Sequence, residues 1–240
     1  MSSTIALEQI ERIVWNQHQN PFEVLGPHPV ELGGKKQWVV RTYLPKADAA
    51  WVMLPDARKE YAMTNDQHAQ FFEAVIETDE LVNYQIRYKE GACEHVIYDP
   101  YAFKSPEITD FDVHLFGEGN HQRIYEKMGA HPIVKDGIAG VYFSVWAPNA
   151  RNISVIGDFN SWDGRQYHMR KGGGGIWDLY IPQLKAGDSY KYEIKNYEGH
   201  IYEKSDPYGF QQEVRPKTAS VVADLNAYTW ADDDWMEHRR

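Results

Sequence analysis

The chain has 240 residues, with 25 Lys and Arg against 35 Asp and Glu, so its net charge is −10 and no basic run interrupts it. That balance repels phosphate backbones and anionic lipid, which argues against nucleic acid or a membrane surface as partner. No stretch approaches the roughly 20 apolar residues of a membrane span, Met1-Ser-Ser-Thr4 begins no secretion signal, and a single cysteine cannot form an internal disulfide, so a cytoplasmic protein is expected.

Residues 4–16 place Leu7, Ile10, Ile13 and Val14 at helical spacing, with Ser3 available as N-cap. Asn20-Pro21 ends this helix, because a residue before proline is pushed out of the helical region. Asn20 to Gly34 reads as loop and turn. Short alternating strands are predicted at 38–44, 50–54, 70–77, 82–89 and 94–98. Lys104 to Asp136 reads as a connector, in which Phe111, Val113, Leu115 and Phe116 alternate briefly and Arg123 to Gly129 fits one or two helical turns. Strands resume at 140–147, 152–156, 176–181, 189–197, 200–203 and 219–223. A polar tail from Asp232 reads as a linker.

The chain repeats itself. Trp38 to Ala47 matches Val141 to Ala150 in reading through a strand to a proline, Pro45 or Pro148. Gln70 to Ile76 matches Gly175 to Ile181, and Asp99-Pro-Tyr-Ala-Phe103 matches Asp206-Pro-Tyr-Gly-Phe210. The copies lie 103 residues apart at the prolines and 107 at the aspartates. A period this long means tandem domains, since solenoid repeats run about 20–50 residues. The expected fold is all-β: two tandem immunoglobulin-like β-sandwich modules with a short amino-terminal helix. The boundaries are 1–108 for the first module, 109–136 for the connector, 137–228 for the second module and 229–240 for the linker.

One loop can carry chemistry. Gly157-Asp-Phe-Asn-Ser-Trp-Asp-Gly164 follows a strand and brings Trp162 out between two small polar neighbours. An exposed indole offers a flat surface to the CH face of a sugar, and amide or ammonium groups bond its rim of hydroxyls. Asn160 and Lys191 are the rim candidates. The alternative is that Trp162 packs on its own sandwich or on a following domain. Trp146, Trp177, Tyr180, Tyr190 and Tyr192 read as core or sheet-face packing. In the first copy, residues 55–60 lack a counterpart of Trp162. Gly172 to Gly175 lacks the ending of a phosphate loop and reads as a hairpin turn. The 10 His residues show no zinc spacing, Asp232 to Asp234 supplies too few convergent oxygens for a cation, and Cys93 reads as buried. No metal or organic cofactor is implied. Asn152-Ile-Ser154 fits a glycosylation pattern inside a predicted strand.

Phe111-Asp-Val-His-Leu-Phe-Gly-Glu-Gly119 and Arg123-Ile-Tyr-Glu-Lys-Met-Gly-Ala-His131 resemble the connector of bacterial glycogen branching enzymes. So do Pro21 to Gly26 with His28, the run Val141 to Asp163, and the stretch Ser205 to Val222. The resemblance implies that the second module belongs to the glycogen-binding modules that accompany α-amylase-like enzymes. It also implies a parent activity that cleaves α-1,4-glucan and rejoins it through an α-1,6 bond, by retaining double displacement on a (β/α)8 barrel. That barrel is expected to follow these modules. No barrel motif is found here, so no catalytic residue is carried over. Phe159-Asn160-Ser161-Trp162 matches the family's sugar-stacking loop and Tyr190-Lys191 its sugar-contacting lysine. Ile201 stands where regulatory relatives carry a second Trp, so half of the aromatic clamp is missing. The implied partners are α-1,4-glucan (glycogen, amylose, malto-oligosaccharides) and the chain's own barrel. A free-standing glucan-binding protein, a purely structural pair, and a debranching or trehalose-forming hydrolase are the rival readings.

Overall fold

The computed structural model describes residues 4–78, 80, 83–225, 227 and 231–239. After helix α1 (Leu7–Val14) come β1 (Gly26–Leu32), β2 (Lys35–Tyr43), β3 (Ala49–Leu54), β4 (Lys59–Ala62), β5 (Thr64–His68), β6 (Phe71–Ile76), β7 (Gln85–Glu90) and β8 (Cys93–Tyr98). They form two antiparallel sheets, β1-β2-β6-β5 and β4-β3-β7-β8. Between these lies a core that includes Val40, Val52, Phe72, Ile76 and Ile86.

Helix α2 (Asp110–Gly117) leads to β9 (Gly129–Lys135), β10 (Ile138–Trp146), β11 (Asn152–Gly157), β12 (Arg170–Lys171), β13 (Ile176–Pro182), β14 (Ser189–Lys195), β15 (Ile201–Lys204), β16 (Gln211–Gln212), β17 (Ser220–Val221) and α3 (Asp233–His238). One sheet runs β12-β13-β10-β9 and its partner β11-β14-β17-β16, with β15 added on β14. Val141, Phe143 and Val145 face the opposite sheet, while Tyr142, on the other face of β10, is covered by Phe103 and Ile108 from the end of the first module and Ile124 from the connector. Burial on both faces explains the nearly continuous apolar run of β10.

Five expectations need correction. Gly129–Lys135, expected in the connector, forms β9, which pairs with β10 in the second sandwich. Asn20 to Gly34 holds a strand, β1, which pairs from Gly26 opposite Arg41 to Leu32 opposite Lys35. Gly33 and Gly34 both take positive φ and make the two-residue hairpin turn. Pro27 and Pro29 hid the strand, and they fit because β1 is an edge. The alternation at 111–116 is helix α2, begun by a capping box in which Thr109 Oγ1 accepts from the Asp112 N–H and Asp112 Oδ2 from the Thr109 N–H. Cys93 is exposed at the start of edge strand β8. Trp146 is half-exposed at the end of β10, its Nε1 donating to the Gly174 carbonyl. The N-cap position of α1 is Ala6, without a side-chain cap, and Ser3 lies outside the described residues. Val82, Thr229, Trp230 and Arg240, also assigned above to a strand or the linker, lie outside them too.

The structure extends the repeat to its corners. Gly26 and Gly129, φ +87° and +102°, pass so close to Tyr101 and Tyr208 that a Cβ would meet their carbonyl oxygens at 2.5 and 3.0 Å. His28 Nε2 lies 3.0 Å from the Leu25 carbonyl, and His131 Nε2 2.9 Å from that of Met128. In each copy a buried aspartate closes the sandwich: Asp99 accepts from Tyr84 Oη at 2.5 Å and from the Tyr101 N–H at 2.9 Å. Asp206 accepts from Tyr190 Oη at 2.6 Å, Tyr192 Oη at 3.1 Å and the Tyr208 N–H at 2.8 Å.

Helix α1 joins the two sandwiches. Ile10 and Ile13 share one apolar cluster with Phe22, Tyr43 and Phe71 of the first and Val155 of the second. The segment after the helix bonds the second sandwich directly, Asn16 Nδ2 to the Gly164 carbonyl at 3.0 Å and Asn152 Nδ2 to the His18 carbonyl at 3.2 Å.

Candidate functional site

Strand β11 delivers the chain into a short 3-10 turn at Asp158–Asn160, after which Ser161 and Trp162 both take left-handed backbone, φ 55° and 58°. Left-handed backbone costs a side-chain-bearing residue about 1–2 kcal/mol, so two in succession need a local restraint. Asn160 supplies it. Its Oδ1 accepts from the Gly157 N–H at 2.9 Å, and its Nδ2 donates to the carbonyls of Val155 and Asp163 at 3.1 and 3.2 Å. The Trp162 N–H closes the turn on the Gly157 carbonyl at 2.9 Å. Asn160 is therefore buried beneath the loop with its amide committed to backbone, which corrects its expected place on a sugar rim. It positions Trp162 instead. Asn160→Ala is expected to lower stability by about 1–3 kcal/mol and to raise the solvent quenching of Trp162 fluorescence. Unchanged melting would show that the loop holds without the amide.

Trp162 is partly buried, and its Nε1 donates to Asp158 Oδ1 at 2.9 Å, which fixes the ring's orientation. On the neighbouring strand Lys191 points to the same outer face, with Nζ 5.9 Å from the centre of the indole. Lys191 also pairs with Glu203 of β15 at 3.5 Å. These groups line an open groove of about 470 Å³ whose other wall is Glu213, Lys217, Thr218 and Ala219. Lys217 pairs with Glu213 at 3.3 Å, and Glu213 also accepts from the Ala219 N–H at 3.1 Å. A platform ring, two ammonium groups, three carboxylates and a hydroxyl thus surround a space open to solvent. Such a set suits a neutral polyhydroxylated ligand, since each hydroxyl both donates and accepts.

Behind the platform, Asp163 is held by Arg165. Burial pushes its carboxyl up, but two guanidinium bonds and the Arg165 N–H bring it below the usual carboxylate value. Next along the outer face from Lys191, burial, together with the charges of Glu203 and Asp163, raises the Glu193 carboxyl.

The structure thus brings Trp162 and Lys191 together and turns Asn160 away. Ile201 lies opposite Lys195, at the far end of β14, and Glu203 occupies the wall beside Lys191. The groove residues Glu203, Glu213, Lys217 and Thr218 were not foreseen, because three of them belong to a loop that only the fold brings beside β14. Trp51 in the first sandwich carries the Arg87 guanidinium 4.3 Å above its ring, which leaves that face covered. Among the described residues, no group of three or more His, Cys, Asp or Glu is placed to hold a metal ion, and no helix is long and apolar enough to cross a membrane.

Residues 6–101 match the family described as alpha-1,4-glucan branching enzyme GlgB, N-terminal domain, and residues 127–209 match carbohydrate-binding module 48 (isoamylase N-terminal domain). Over 238 residues the chain is 65% identical to 1,4-alpha-glucan branching enzyme GlgB of Trichormus variabilis, an overlap covering 99% of this chain and 31% of that protein. It is 62% identical over 237 residues to the protein of that name in Thermosynechococcus vestitus, covering 99% and 31%. With that of Gloeobacter violaceus it shares 53% over 241 residues, covering 100% and 32%. The chain spans about a third of the length of these curated relatives.

Proposed function

From the premise that the chain carries the amino-terminal module pair of the GlgB branching-enzyme family, we propose that its second sandwich holds α-1,4-glucan against Trp162. The observation that carries this reading is the indole itself. It is held partly exposed at the groove on a left-handed turn, oriented by Asp158 and flanked by Lys191, inside the span matched to a carbohydrate-binding module. The left-handed backbone at Ser161 and Trp162, held by the bonds of Asn160, supports this reading, since strained backbone clusters at ligand-contacting turns.

The sugar's CH face stacks on the indole, Lys191 donates to ring hydroxyls, and Glu203 and the Thr218 hydroxyl accept. One platform supports weak binding, millimolar to tens of micromolar, or about 4–7 kcal/mol. Weak binding is useful on a polymer, because tethering raises the local concentration of chain ends. In the protein to which this pair belongs, the proposed activity is transfer of cleaved α-1,4-glucan chains to form α-1,6 branches in glycogen. The modules position the polymer, the first sandwich supports the second, and the chemistry lies on a barrel that is not part of this chain. The cytoplasm is the proposed setting, in keeping with a single exposed cysteine.

Native gels containing glycogen test the site. The parent chain is expected to be retarded, and Trp162→Ala to lose about tenfold in affinity while melting at the parent's temperature. Equal mobility of both, with and without glycogen, would leave Trp162 as a structural residue.

A further inference from the structure

The outer face that carries Lys191 has a pair of exposed rings at its other end. Trp15, at the carboxyl end of α1, is 64% exposed, and Tyr197, in the β14–β15 turn, is 60% exposed. Both are fastened to the same seam by bonds that leave their faces free. Lys195 Nζ donates to the Trp15 backbone carbonyl at 2.7 Å, and Gln19 Nε2 donates to Tyr197 Oη at 2.9 Å. Beside them Arg151 Nη2 donates to Gln17 Oε1 at 2.8 Å. Ile201, 55% exposed, stands directly opposite Lys195.

This is the chemistry of the Trp162 groove over again: rings with open faces, edged by amides and cations that can bond hydroxyls. Strand periodicity puts the two ends on one surface. Lys191, Glu193 and Lys195 alternate with the inward-facing Tyr190, Tyr192 and Ile194, so all three project outward. From Lys191 to Lys195 is four residues, about 13 Å. That separation lies beyond a single sugar and within reach of an oligosaccharide.

We infer that Trp15 and Tyr197 form a second platform for the same α-1,4-glucan, so that a longer chain lies along the outer face of β14 and β15 from Trp162 to Trp15. The inference rests on the reading of Trp162 as a glucan contact. Two weak platforms joined by one ligand reinforce each other, because the second contact forms at the high effective concentration set by the first. Affinity then depends on oligosaccharide length, and helix α1, which begins the first module, becomes part of the sugar-binding surface of the second.

Titration calorimetry of the 240-residue chain with maltotriose and with maltoheptaose tests this, using the parent, Trp15→Ala, Tyr197→Ala and Trp162→Ala. The parent is expected to bind maltoheptaose about tenfold more tightly than maltotriose. Trp15→Ala and Tyr197→Ala should each abolish most of that ratio while leaving maltotriose affinity unchanged, and Trp15→Tyr should restore it. The exposed rings and the backbone carbonyl taken by Lys195 keep these variants folded, which matched melting curves verify. If Trp15→Ala and Tyr197→Ala keep the parent's ratio while Trp162→Ala loses binding, the second platform is overturned and the first stands. If the parent binds neither sugar, both fall.

Discussion

Asp206→Ala is expected to lower stability by about 3–5 kcal/mol. The carboxylate is 4% exposed and accepts from two tyrosine hydroxyls and a backbone N–H, while its own N–H donates to Ser220 Oγ at 2.9 Å. Removing it strands three buried donors, each costing about 1–3 kcal/mol. Part of that loss is recovered, because burial already raises the Asp206 carboxyl and so makes its charge expensive. Asp99→Ala should cost less, since Asp99 serves one hydroxyl and one N–H. Its carboxyl is pushed up by burial to about 6. Urea denaturation of both variants gives the comparison. A loss below about 1 kcal/mol for Asp206→Ala would mean that the tyrosines find other partners.

Ile13→Asp should be at least as damaging, about 3–5 kcal/mol, because it places a carboxylate without a partner in a fully buried position. The reach of the damage matters more than its size. Ile13 belongs to a cluster that runs from Phe71 in one sandwich to Val155 in the other. Calorimetry of the parent should therefore show a single transition, and the variant should shift all of it. Two resolved transitions, only one of them moved by Ile13→Asp, would show that the sandwiches are thermodynamically separate.

The central sandwich strands were legible because they keep an apolar face, as Phe72, Ala74 and Ile76 do in β6, whereas β5 is polar throughout and was not. Strand β1 was hidden because its prolines are ordinary loop signals and only an edge position tolerates them. Helix α2 was hidden because residues 111–116 alternate like a strand, while the decisive signal, Thr109 three residues before Asp112, is short and local. That Trp162 and Lys191 lie side by side was readable from a loop and a strand. The role of Asn160 was not, because whether an amide faces solvent or its own backbone depends on how the turn closes. Residues 213–218 could not have been joined to the groove from spacing alone, since they reach it through sheet pairing well after Lys191 in the chain.

Strands β1 and β9 each border an open sheet edge, and each carries a proline in the same place of the repeat, Pro29 and Pro132. A proline offers no N–H to an incoming strand, so neither border can be extended by another chain without a gap in the ladder. Under the proposed binding to a branched glucan, many copies would share one particle at high local density. Val134, 69% exposed on β9, would otherwise make that border adhesive. At that density the two prolines would withdraw these two borders from edge-to-edge pairing between copies.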